Sequence, residues 1–134
     1  MDLSNATITD SLVDGNTAGS QGGGILVATF SRLTLRSCRI TDNSANSKGG
    51  GLQLANNCRP VVEHCEVAYN TATNGAGVAL NDNSSPAFYN VTVHHNVAVS
   101  EAGGLLLEDN SSGTLLESDV SFNNVTAGSA GGIL

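Results

Sequence analysis

The sequence predicts an all-β solenoid of about five stacked coils, ~27 residues each, with three short strands per coil. Three observations carry this. First, asparagines recur every 27, 27, 26 and 27 residues, at Asn16, Asn43, Asn70, Asn96 and Asn123, each three places after Val13, Ile40, Val67, Val93 or Val120. Second, each asparagine is followed by small residues and then by a glycine-rich start to an apolar run, as in Gly22-Gly23-Gly24-Ile25 and Gly49-Gly50-Gly51-Leu52. Third, apolar residues alternate with polar ones, as in Leu33-x-Leu35 and Leu52-x-Leu54, which is the period of a strand.

Aligning the repeats gives each element in order. The first strand of a coil carries an inward column of Ile8, Leu35, Val62, Phe88 and Leu115. The second carries Ser11, Cys38, Cys65, Val91 and Ser118, then Val13, Ile40, Val67, Val93 and Val120. The asparagine ladder turns the chain, because an Asn side chain can bond corner backbone groups and its counterpart one coil away. Ala18, Ala45, Ala72 and Ala98 suit a tight corner, and the glycines supply positive φ or close backbone approach. The third strand carries Ile25, Leu52, Val78, Leu105 and Ile133, then Val27, Leu54, Leu80 and Leu107. Matching positions stack at about 4.8 Å, so the strands form three parallel sheets around a narrow core. Crossovers between parallel strands are overwhelmingly right-handed, so the expected fold is a right-handed parallel β-helix. Residues 1–134 read as a single β-helix segment. Neither end has the features of a cap, so a longer parent solenoid is expected. Met1 is followed directly by Asp2, which does not read as a signal peptide.

Composition narrows the function classes. Net charge is −7, and all five basic residues lie between Arg32 and Arg59. Half of the chain offers nothing to neutralise phosphates, which disfavours nucleic acid and anionic membrane surfaces as partners. No apolar run approaches the length of a membrane span. The one-coil spacing sets Arg36 over Glu63 and Arg39 over Glu66 as cross-coil ion pairs.

The pattern apolar-x-x-Asn followed by Gly-Gly-x-apolar resembles the repeats of the chlamydial polymorphic outer-membrane proteins. More broadly it resembles the right-handed parallel β-helix of pectin-lyase-like proteins, over essentially the whole chain. The first resemblance implies a surface-displayed β-helix with adhesive roles. The second implies a polysaccharide lyase or hydrolase as the alternative.

Each candidate site residue also has a structural role open to it. Asp82 and Asp109 sit in equivalent turns, Asp82-Asn83-Ser84-Ser85 and Asp109-Asn110-Ser111-Ser112, where stacked carboxylates can bind Ca²⁺ or share acid/base work. Solvated turn residues capping their own backbone account for them better, and no Lys or Arg lies nearby to complete a lyase site. His94 and His95 read as strand neighbours pointing to opposite faces, with His95 in a corner column with Asp42, Tyr69 and Phe122. Cys38 and Cys65 share an inward column and favour free, buried thiols over a disulfide, while Cys58 lies at a turn with an external partner conceivable. Asn5, Asn83, Asn90, Asn110 and Asn124 are glycosylation candidates, a mild excess over chance in so Asn- and Ser-rich a chain.

Leu26, Gln53, Ala79, Leu106 and Leu134 form an outward, largely apolar column, expected to be an interaction face. The outward threonines of the first strand are interrupted at Val61 and Ala87, which sets aside an ice-binding array. The expectation is a non-catalytic structural or adhesive scaffold, extracellular or at the cell surface. It needs no cofactor, and it meets other protein chains or glycans.

Overall fold

The computed structural model describes residues 5–134. Among them every strand pairs in parallel with its counterpart one coil away. The first sheet stacks Asn5–Thr9, Arg32–Arg36, Val61–Glu63, Ala87–Tyr89 and Thr114–Leu116. The second stacks Leu12–Asp14, Arg39–Thr41, Glu66–Ala68, Thr92–His94 and Asp119–Ser121. The last sheet stacks Ile25–Ala28, Leu52–Ala55, Val78–Leu80 and Leu105–Leu107, and an isolated bridge from Leu105 to Ile133 continues it into the fifth coil.

The first four coils have four strands each, where the sequence predicts three. The addition is the segment read as a tight corner: Thr17–Ala18, Ser44–Ala45, Thr71–Asn74, Val97–Glu101 and Asn124–Val125 form a sheet of their own. Their alanines make a small separate cluster with Ala76 from the following turn, in which Ala45, Ala72, Ala76 and Ala98 are buried. Methyl groups fit here because two bends lie close together. The register of this sheet shifts between Ala72 and Asn74, so a bulge absorbs one residue of the repeat-length variation.

The core is the predicted set of columns. Leu35, Val62 and Phe88 stack in register, as do Ile40, Val67 and Val93, and Leu52, Val78 and Leu105. All belong to one buried cluster.

The corners share one backbone device. Asp10, Ser37, His64, Asn90 and Glu117 turn the chain from the first sheet to the second with φ between 49° and 54°. Gly15, Asp42, Tyr69, His95 and Phe122 do the same after the second sheet, with φ of 52° to 66°. The turn after the last sheet uses two such residues in a row, including Asn56-Asn57, Asp82-Asn83 and Asp109-Asn110. Left-handed backbone disfavours residues with a Cβ, Asn and Asp least. A tyrosine, histidine or phenylalanine there is held by its surroundings.

What holds the second corner is the asparagine ladder. Each Oδ1 accepts both the backbone N–H and the Nδ2–H of the asparagine one coil before, at 2.9–3.1 Å from Asn16 through Asn123. The remaining Nδ2 proton reaches back to a strand carbonyl: Asn43 to Val13, Asn70 to Ile40, Asn96 to Val67 and Asn123 to Val93, at 2.8–3.0 Å. Asn43, Asn70 and Asn96 are buried.

The glycine ahead of each last strand makes room for this amide. A Cβ on Gly51 would lie 2.8 Å from Asn70 Nδ2 and 2.7 Å from the Gly77 carbonyl oxygen. Gly77 and Gly104 meet Asn96 and Asn123 in the same way.

Asn70→Ala is expected to cost about 3 kcal/mol or more, because it strands the buried donors of Asn43. Asn16→Ala, at the exposed end of the ladder, should cost about 1 kcal/mol. Urea unfolding of the two variants checks the contrast. Gly51→Ala should unfold the chain or lower its midpoint sharply, whereas Gly19→Ala, with nothing within 4 Å of the new Cβ, should stay within about 0.5 kcal/mol of the parent.

Candidate functional site

The densest set of interacting polar and aromatic side chains lies on the second sheet and the corner that follows it. Arg39 and Glu66 occupy one outward column in adjacent coils, and the Arg39 guanidinium donates to Glu66 Oε2 at 2.6 Å. The other carboxylate oxygen, Oε1, lies 2.8 Å from His94 Nε2. Two donors therefore grip one carboxylate. The hydrogen bond from Arg39 holds Glu66 below the usual carboxylate range, and the bond from His94 adds to this against the opposing effect of burial. The same Glu66 contact raises Arg39 above its ordinary value.

His94 ends its strand and His95 is the left-handed corner residue, with φ of 54°. That bend reverses the strand rule that separates neighbouring side chains. The two rings meet edge to face with centroids 5.0 Å apart, and their Nδ1 atoms are 2.7 Å from each other. The expectation that His94 and His95 diverge is therefore corrected.

His95 in turn stacks between Tyr69 at 5.2 Å and Phe122 at 5.4 Å. The ladder is exposed: Tyr69 is 50% accessible and Phe122 80%. Beside it, a shallow groove on the third sheet is lined by Ser44, Asn46, Thr71, Thr73, Val97 and Val99.

A family model described as a right-handed β-helix region matches residues 1–133. The chain belongs to the right-handed β-helix family. No curated protein and no solved structure matches it.

Within this β-helix Asp82 and Asp109 keep equivalent places in adjacent coils, where the Asn83 N–H donates to the Asp109 carbonyl at 3.0 Å. Asp82 and Asp109 are the first members of paired left-handed corners, with φ of 54° and 50°, and Asn81 Nδ2 donates to Asp82 at 2.7 Å. Asp is favoured there for its backbone, which accounts for both residues. Among the described residues no three His, Cys, Asp or Glu side chains gather as a metal site.

The proposed interaction column is corrected as well. Gln53, Ala79 and Leu106 are 0–1% exposed, and only Leu26 and Leu134, in the first and last coils, remain accessible. The β-helix covers this column itself. Its preceding corner folds back so closely that a Cβ on Gly49 would sit 2.8 Å from the Gln53 Cβ, and one on Gly75 2.7 Å from that of Ala79. Lys48 and Glu108 pair nearby across two coils, at 2.5 Å. One-coil arithmetic pairs only adjacent rungs and misses that contact.

The cysteines are free and buried. Cys58 is not available to an outside partner: its thiol donates to the Ala55 carbonyl at 2.9 Å, and burial pushes its pKa up. Burial raises Cys65 likewise. Asn5, Asn83, Asn90, Asn110 and Asn124 are all exposed. Asn83, Asn90 and Asn110 are also left-handed corner residues, which gives their identity a backbone reason apart from any glycan.

The stability Glu66 contributes is present above the unfolded pKa of about 4.3 and fades as pH falls through the lower, folded value. Glu66→Gln should therefore cost about 0.5–1 kcal/mol at pH 7 and less near pH 2. Urea midpoints at the two pH values check this.

Proposed function

We propose that this β-helix is a non-catalytic structural or adhesive segment of an extracellular or surface protein, a stiff platform for protein or glycan contacts. The observation that carries this reading is the continuity of the stack. Four sheets keep register from coil to coil, every corner uses the same left-handed device, and the buried asparagine ladder runs the length of the rod. Such a body is stiff along its axis, because each coil is hydrogen-bonded to both neighbours.

The contact surface is the Tyr69–His95–Phe122 ladder with the hydroxyl- and amide-bearing groove beside it. Aromatic rings with polar neighbours supply contact area at low entropic cost, which suits adhesion. The rings face one another along the axis, so a partner meets mainly their edges, together with the free outer face of Phe122. Asp82 and Asp109 serve as corner residues in this reading, which leaves the lyase and hydrolase alternative without its acids.

A Tyr69→Ala/Phe122→Ala double variant tests the surface on a glycan array and on immobilised extracellular-matrix proteins. The parent should bind, and the variant should bind at least tenfold more weakly with unchanged far-UV circular dichroism. Equal binding by both proteins would contradict the proposed surface. Cleavage of an acidic polysaccharide by the parent would contradict the non-catalytic reading.

A further inference from the structure

We propose that His94 and His95 form a two-nitrogen chelate for a divalent transition-metal ion, best suited to Cu²⁺. The inference is independent of the adhesive reading. It starts from the tautomer of His94. An ionised carboxylate only accepts hydrogen bonds, so the 2.8 Å contact with Glu66 Oε1 places a proton on His94 Nε2. In the neutral ring Nδ1 is then a bare lone pair. Glu66 is fixed in turn by Arg39 at 2.6 Å. This is the arrangement in which a carboxylate orients a metal-binding imidazole and raises its basicity.

The lone pair of His94 Nδ1 faces His95 Nδ1 at 2.7 Å. With both rings neutral and no ion bound, His95 Nδ1–H donates across this gap. On binding, the His95 proton shifts to its exposed Nε2, and both Nδ1 atoms are free to coordinate. Metal–nitrogen bonds of about 2.0 Å place two cis ligands about 2.8 Å apart in a square plane or octahedron and about 3.3 Å apart in a tetrahedron. The observed separation is near the 90° value, and His95 turns within its own ring plane, between Tyr69 and Phe122, to bring both lone pairs onto the ion. Nitrogen ligands and the affinity order of divalent ions favour Cu²⁺.

The surroundings suit a cation. The nearest basic group, Arg39, is spent on Glu66, and the chain carries net charge −7. Among the described residues no third side chain of the usual ligand types converges, so water or a partner's donor fills the open positions. Stacking of His95 between Tyr69 and Phe122 holds the plane of its ring beside His94.

Titration of the full chain with copper(II) sulfate alone, followed by calorimetry and electron paramagnetic resonance, tests the site. The expected result is one specific equivalent whose spectrum shows two equatorial ring nitrogens. His95→Phe keeps the aromatic stack, which already holds a phenylalanine at Phe122, but removes the nitrogen; it should weaken binding at least tenfold. His94→Gln should do the same. Glu66→Gln should weaken binding about tenfold by releasing the tautomer, and His64→Asn should leave it unchanged. Copper binding by His95→Phe equal to that of the parent, or nitrogen couplings that vanish with His64 instead, would overturn the proposal and leave the Nδ1 contact as a shared proton only.

Discussion

Everything in this fold depends on a hydrogen-bonded column of asparagine side chains running parallel to the axis, just inside one corner. A coil of about 27 residues must bend several times, and each bend removes backbone groups from the sheets. At the corner after the second sheet the amide of each asparagine replaces those lost partners. Its oxygen serves two donors from the coil before, and its two protons serve a strand carbonyl behind and the next amide ahead. Every polar atom of Asn70 is used. A buried amide is costly unless fully satisfied, and here satisfaction requires an identical residue one coil away. That requirement propagates the repeat: the asparagine fixes the glycine that faces it, and both fix the register of the sheets between them.

The corners, this one included, also make a demand on the backbone. They need left-handed backbone, which Asn, Asp and Gly supply at least cost. The sequence uses those residues often but not always. Tyr69, His95 and Phe122 pass through the same strained region, as do His64 and Glu117. The exposed aromatic ladder is therefore placed at a corner where a cheaper residue would have served the fold. That contrast, together with the Glu66 bridge to Arg39 and His94, marks this edge as the part of the surface that folding alone does not explain.

Much of the fold was legible because the signal is translational. One alignment of the repeats names the core columns, the asparagine ladder, the cross-coil pairs of Arg36 with Glu63 and Arg39 with Glu66, and the parallel sheets. What the alignment could not show is how the chain moves sideways within one coil. The short strand at Ser44–Ala45 looks like a corner in sequence, because two-residue strands have no alternation to read. The burial of Gln53, Ala79 and Leu106 follows from the corner folding back over its own sheet, a path that column arithmetic does not contain. The meeting of His94 with His95 was missed for a related reason. Strand alternation ends at His94, and Gly15 and Asp42 in the column of His95 are residues that favour a left-handed turn.

The most direct test of this account is hydrogen exchange of the asparagine side-chain amides, followed by NMR on the intact chain. If the ladder closes the coils, the Nδ2 protons of Asn43, Asn70 and Asn96 should exchange only through global unfolding, as slowly as the backbone amides of Val67 and Val93. Exchange of those protons at the rate of a solvent-exposed asparagine, with the strand amides still protected, would show that the coils stack without the ladder and would contradict the account.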